Sequence, residues 1–167
     1  MLADTILIKI LTLHEGRRNK PYLDSVGKWT VGVGRNLTDV GLSKNEVIYL
    51  LQLLPEIPDG FLDYLLQNDL GRVRTELDQA LPWWREMDDV RQAALIDLGF
   101  NLGVVKLLTF VHSLKLLEDK RFVECADNLL KTRWAVQVGV APGQRAYRVT
   151  EMIRTGLFDS AIQDTQV

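Results

Sequence analysis

Apolar residues at Leu2, Ile6, Ile10 and Leu13, with Leu7 and Leu11 alongside, recur at helical spacing and give one wide apolar face. Gly16 ends this helix near Glu15. The pattern then changes character. Pro21 resists helix, so Tyr22-Leu23-Asp24 is expected to be extended, and Gly27-Lys28 makes a turn. Beyond it Trp29, Val31 and Val33 alternate with Thr30, Gly32 and Gly34, the period of a strand. This is the one convincing β signal in the chain.

The remainder predicts helices. Ser43 caps 44–54, with Glu46 completing a capping box. LPEIPDG breaks that helix, and Asp59 is placed to cap a longer one reaching about Leu81. Pro82 opens a short helix carrying Trp83 and Trp84. Residues 89–102, 110–119 and 121–132 have 3.6-period apolar faces, and Pro142 is expected to start a last helix through about Arg154. The simplest arrangement is α+β and mostly α, in two lobes. Residues 1–58 form an N-terminal lobe with the hairpin, 59–81 a connecting helix, and 82–167 a helical C-terminal lobe.

Composition narrows the function classes. A chain of 167 residues buries enough surface to fold without a disulfide or metal staple. Twenty basic against 22 acidic residues give a formal charge of −2, which argues against a dedicated nucleic-acid binder. Cys125 is the single cysteine, so no intramolecular disulfide forms. The N-terminus lacks a basic start and a small-residue cleavage pattern and carries Asp4 and Lys9, so no signal peptide is expected. No run approaches the ~20 apolar residues of a membrane span.

The chemistry concentrates at the hairpin. Cleaving a glycosidic bond needs a proton donor for the leaving oxygen and a second group that brings up water or stabilises the cationic sugar. Glu15, at a helix C-terminus beside an apolar face, is placed where the dipole and desolvation favour its proton-carrying form. Asp24, on an exposed segment near Lys28, is expected to stay ionised. Two carboxyls in opposed protonation states make an acid and base pair. Thr30, Gly32 and Gly34 are expected to share one small face, open to a flat polymer, with the Thr30 hydroxyl holding a water for Asp24. Taken singly, each feature has a bland origin: a charge at a helix end, a turn aspartate, glycines that bend a hairpin.

Their order is more specific. Glu-x8-Asp-x5-Thr, embedded as EG…Y.D..G..T.G.G, resembles the phage-type lysozymes (endolysins) of glycoside hydrolase family 24, the T-even type above all. AALIDLGFNL (93–102), FVHSL (110–114), NLLKTRW (128–134) and RAYRV (145–149) are similar to the family's C-terminal lobe, while 36–68 are least alike. The resemblance implies a two-lobed lysozyme-like fold with the substrate, a peptidoglycan glycan strand, in the cleft between lobes. It implies hydrolysis of the β-1,4 bond between N-acetylmuramic acid and N-acetylglucosamine with inversion, Glu15 as general acid, Asp24 on the water side and Thr30 positioning the water. It further implies sugar contacts from Phe100, Ser113 and Asn128, and a lobe-tying partner for Glu15 in Arg145. No cofactor or metal is implied. An enzyme of this kind is expected to be a monomer that accumulates in the host cytoplasm and reaches the wall once a holin opens the inner membrane.

Three departures stand out. Arg35 replaces the family's histidine after the second hairpin glycine, and with Asp69 is expected to form a bidentate pair charged at every working pH. The loop AVQVGVAPGQ after Trp134 is longer than in the family. The chain is also near neutral, where many such enzymes are basic, so its attraction to the wall is expected to depend less on salt. HEGRR starts like a zincin helix, but Arg18 stands in place of the second histidine, and the metal reading fails. His14 and His112 then read as ordinary surface or interface residues, Trp83 and Trp84 as packing at a lobe junction, and Cys125 as a small core residue. The rival functions are a lytic transglycosylase, which needs only the acid, and a non-catalytic peptidoglycan-binding module on the same fold. Retention of Asp24 and Thr30 favours hydrolysis over both.

Overall fold

The computed structural model describes residues 4–53 and 57–163. Leu2 of the apolar face, and residues 54–56 of the breaking segment, lie outside the described residues. Helix α1 (Asp4–Glu15) buries Leu7, Ile8, Ile10 and Leu11. Gly16 ends it with φ 73°, a conformation that costs other residues about 1 kcal/mol or more. Strands β1 (Arg18–Leu23), β2 (Trp29–Gly32) and β3 (Arg35–Asn36) follow as one antiparallel sheet in that order. Tyr22 pairs with Thr30, and Thr30 in turn with Asn36.

The sheet has three strands where the pattern showed a hairpin. β1 begins well before Tyr22 because it is an edge strand, which needs no inward N–H from Pro21, and its register slips between Arg18 and Tyr22. The expected alternation stops at Gly32, since Val33 and Gly34 form a turn into β3. Val31 and Val33 accordingly enter different cores, and Trp29 stays exposed.

Helices account for the rest. α2 (Lys44–Leu53) carries the expected capping box: the Ser43 N–H donates to Glu46 Oε2 at 2.7 Å, and the Glu46 N–H donates to Ser43 Oγ at 3.3 Å. α3 (Asp59–Ala80) is capped by Pro58 rather than Asp59, whose carboxylate is taken up by Arg17 and Asn19. A 3-10 turn (Pro82–Glu86) leads into α4 (Asp89–Leu102), capped by Asp88. α5 (Val104–Leu107), α6 (Val111–Glu118) and α7 (Phe122–Leu130) follow. The helix expected over 121–132 breaks at Leu130. Thr132 then caps a separate α8 (Arg133–Val138), so the first four of the ten residues of the expected loop after Trp134 are helical. α9 (Arg145–Thr155) begins three residues past Pro142, and α10 (Ser160–Gln163) closes the described chain.

Two cores result. A small one joins Val31 to Phe61, Leu62 and Leu65 at the start of α3. A large one runs from Leu66 in α3 through α4 to α10 and takes in the buried face of α1. The first helix therefore packs with the C-terminal lobe, although the chain division at residue 58 groups it with the sheet. Burying Leu7, Ile10 and Leu11 there is worth about 1.5–3 kcal/mol apiece. The last residue of α1 is thereby fixed to the large core while the sheet leaves from it. Glu15 sits at that joint.

Candidate active site

The acids are positioned by different devices. Glu15 is one-fifth exposed and is gripped from the far end of the chain, where Arg145 Nη1 donates to its Oε1 at 2.6 Å. Its other oxygen, Oε2, faces Gly34: a Cβ built there would stand 3.3 Å from Oε2 and from Cγ. With φ 78° at the same residue, the turn between β2 and β3 has no room for a side chain against the carboxyl. Asp24 follows the end of β1 and closes the turn to β2. Its Oδ1 accepts from the Val26 N–H at 2.9 Å and the Lys28 N–H at 2.8 Å, which locks the carboxylate and leaves both bonds on one oxygen.

The two acids share a neighbour. The Tyr22 phenol is held above its ordinary value first by partial burial, with the charges of Glu15 and Asp24 adding to this and the Arg18 guanidinium opposing it. Tyr22 is the cross-strand partner of Thr30. Thus Glu15, Asp24 and Thr30 gather around one hairpin, Glu15 through Gly34, Asp24 through its own turn, and Thr30 through Tyr22. Thr30 is 4% exposed and its hydroxyl donates to the Lys28 carbonyl at 3.3 Å. The small open face expected across Thr30, Gly32 and Gly34 is not there. Gly32 faces Leu62 and Gly34 faces Glu15, because positive φ at both breaks the alternation.

Phe100 packs on the large core and also lines a cleft of about 390 Å³ with Gly34, Asn36, Asp69 and Asn101. Ser113 and Asn128 line a second cleft with Phe110, His112 and Thr132, where Asn128 Nδ2 donates to Ser113 Oγ at 2.7 Å. Ser113 is buried, so Asn128 is the better exposed of the two.

The Arg35 guanidinium spreads over two acids: Nη1 meets Asp69 Oδ1 at 2.5 Å, and Nη2 meets Glu46. The expected bidentate pair with Asp69 alone is corrected to a fork, because Glu46 of the capping box turns its second oxygen inward. Asn68 and Ser43 complete the Glu46 shell. Although burial works against its charge, these donors bring Glu46 down to about 2. Asp69 stays above its ordinary value, since burial outweighs Arg35 and Arg72.

The 140 residues from 12 to 151 match the model of the phage lysozyme family. The chain belongs to that family. Two relatives from Dictyostelium discoideum are similar along nearly their whole lengths. The chain is 27% identical to probable T4-type lysozyme 1 over 166 residues (90% of this chain and 95% of the relative). It is 26% identical to probable T4-type lysozyme 2 over 162 residues (88% and 92%). Membership makes the chain a lysozyme-like glycosidase, with both acids, Thr30 and Arg145 inside the matched span. Among the described residues no helix is long and apolar enough to cross a membrane.

Sequence reasoning missed part of the site. His14, expected at a surface or interface, has a side chain 1% exposed, with Nδ1 3.0 Å from Asp97 Oδ2. Asp97 is 1% exposed and its Oδ1 accepts from Arg145 Nη2 at 2.6 Å. The signal for Asp97 was present in AALIDLGF, an acid inside an otherwise apolar helical run. Such a residue has to find a cation.

Proposed function

We propose that this protein is a muramidase that hydrolyses the β-1,4 bond between N-acetylmuramic acid and N-acetylglucosamine in peptidoglycan, with inversion. Glu15 is the general acid. Arg145 occupies Oε1, so the transferable proton belongs on Oε2, the oxygen against Gly34. Asp24 acts on the water: its Oδ1 is committed to two backbone N–H groups, which leaves Oδ2 to take the proton. Thr30, whose hydroxyl shares the Lys28 carbonyl with the Asp24 N–H, orients that water, and Phe100, Ser113 and Asn128 hold sugar along the two clefts. The observation that carries the reading is the pairing of a glutamate fixed by a guanidinium with an aspartate fixed by its own turn, both within electrostatic reach of the Tyr22 phenol.

The activity would serve host-cell lysis by a monomer that waits in the host cytoplasm for a holin. The relatives in Dictyostelium discoideum show that the family is not confined to phages, so this role rests on the resemblance to endolysins.

Mass spectrometry of purified peptidoglycan after digestion tests the reaction. Reducing N-acetylmuramic acid ends are expected. 1,6-Anhydromuramyl ends would make the protein a transglycosylase, and intact wall would make it a binding module. Asp24→Asn is expected to lose most of the hydrolysis, and a small effect there would favour the transglycosylase.

A further inference from the structure

Arg145 is one cation shared by two acids. Its Nη1 reaches Glu15 and its Nη2 reaches Asp97, both at 2.6 Å, with the guanidinium side chain 9% exposed. Asp97 is completely enclosed. Burial alone would neutralise it, yet Arg145 and His14 hold it below its ordinary value, so it is an anion. The His14 ring lies against the far oxygen of Asp97, short but off the hydrogen-bonding axis, and its Nε2 finds no hydrogen-bond partner among the described residues.

The charges of this group, enclosed except at Glu15, can balance in two ways. Arg145 and Asp97 cancel. A neutral Glu15 with a neutral His14 then leaves zero, and so does an ionised Glu15 with a protonated His14. An ionised Glu15 beside a neutral His14 leaves one uncompensated negative charge, which burial penalises. The two side chains are consecutive in sequence and connected through Asp97 and Arg145, so each is costly to change alone.

We propose that Asp97 and His14 are positioning residues for the Glu15 carboxyl. Asp97 takes half of the Arg145 charge and so leaves Glu15 the proton a general acid needs. His14 sets the pH at which that proton is lost, because a proton on His14 stabilises the ionised Glu15. The inference rests on the acid role given to Glu15 above. Among the described residues, charged and titratable groups reach the pair from several elements. α4 supplies Asp97, α9 supplies Arg145, and β1 supplies Tyr22, whose phenol senses Glu15. On α3, Arg74 pairs with Asp4 at the opposite end of α1. Toward α10, Arg148 and Asp159 pair with each other.

Two measurements test this. In Asp97→Asn, Glu15 receives the whole guanidinium, so its ionised form is favoured. The alkaline limb of the kcat/KM profile on peptidoglycan is expected to move to lower pH by about one unit, since deleting a like charge held on the same guanidinium acts on that scale in a partly buried site. A merely structural role would lower the rate at every pH and leave the limb in place, and that result overturns the Asp97 assignment. The second measurement needs neither activity nor an Asp97 variant. By reciprocity, the His14 ring titration followed by NMR is expected to move to lower pH by roughly half a unit in Glu15→Gln, where no carboxylate can form. An unmoved midpoint, or a ring that does not titrate in the wild type, overturns the His14 assignment. A shifted His14 in a protein whose Glu15→Gln variant retains turnover would leave the proton linkage standing and remove the acid role instead.

Discussion

Replacing Arg35 with methionine, which keeps the stem and deletes the fork, exposes how the sheet is held to the helices. Arg35, Glu46 and Asp69 have side chains only 6%, 3% and 4% exposed, so the variant strands two enclosed carboxylates at once. Breaking a buried ion pair from one side costs about 3–5 kcal/mol. Here the lower end applies, because Glu46 keeps the Ser43 N–H and Asn68, and Asp69 keeps Arg72. At about 3 kcal/mol, and ~2–4 °C per kcal/mol for a chain of this length, the midpoint of thermal unfolding is expected to fall by about 6–12 °C. The pH dependence adds a sharper check. Glu46 is depressed from 4.5 to about 2, so its contribution, about 3 kcal/mol, is present above pH 4.5 and is lost as pH falls toward 2. Asp69 is raised by burial and runs the opposite way, contributing with its proton on and losing that contribution as pH rises. Without Arg35 both acids take up protons more readily. The gap between wild type and Arg35→Met is therefore widest at neutral pH and narrows below about pH 4. Urea unfolding at pH 7 and pH 4 measures it. A difference under ~1 kcal/mol at neutral pH, or one that does not change with pH, would mean that the fork does not hold the sheet to the helices.

Gly34→Ala forces φ 78° on a residue with a Cβ and brings that Cβ to 3.3 Å from the Glu15 carboxyl. A loss of about 1–2 kcal/mol in urea unfolding is expected, together with a fall in kcat that Gly32→Ala, which meets Leu62 instead, does not reproduce beyond its own stability loss. Cys125 is buried, its thiol donates to the Ser113 carbonyl, and burial pushes it up to about 12. Native protein is therefore expected to resist alkylation at pH 8 and to react only on unfolding, as read by mass spectrometry.

Much of this was legible in the chain because local rules decide it. The capping box at Ser43 and Glu46, the stop at Gly16 and the long α3 each depend on a few adjacent residues. The same locality explains the errors. Nothing near Pro21 says that β1 lies at an edge, where a proline is tolerated, and the helix expected to end at 132 stops at Leu130 because Thr132 caps α8 instead of closing α7. At the site, the order Glu15, Asp24, Thr30 could be read, but its support could not. Glu46 serves both a cap and an ion-pair fork, and His14 meets Asp97 across 83 positions of chain. Long-range partners of charged residues leave only an indirect trace, an acid among apolar neighbours, which names the need and not the residue that meets it.

In the proposed reaction Glu15 supplies the proton that breaks the sugar linkage. Glu15→Gln keeps an oxygen for Arg145 to donate to and has no acidic proton. Release of soluble muropeptides from purified sacculi is expected to drop at least about a hundredfold, the usual lower contribution of a general acid, while thermal unfolding shows the variant intact. A folded Glu15→Gln protein that releases muropeptides at the wild-type rate would contradict the account.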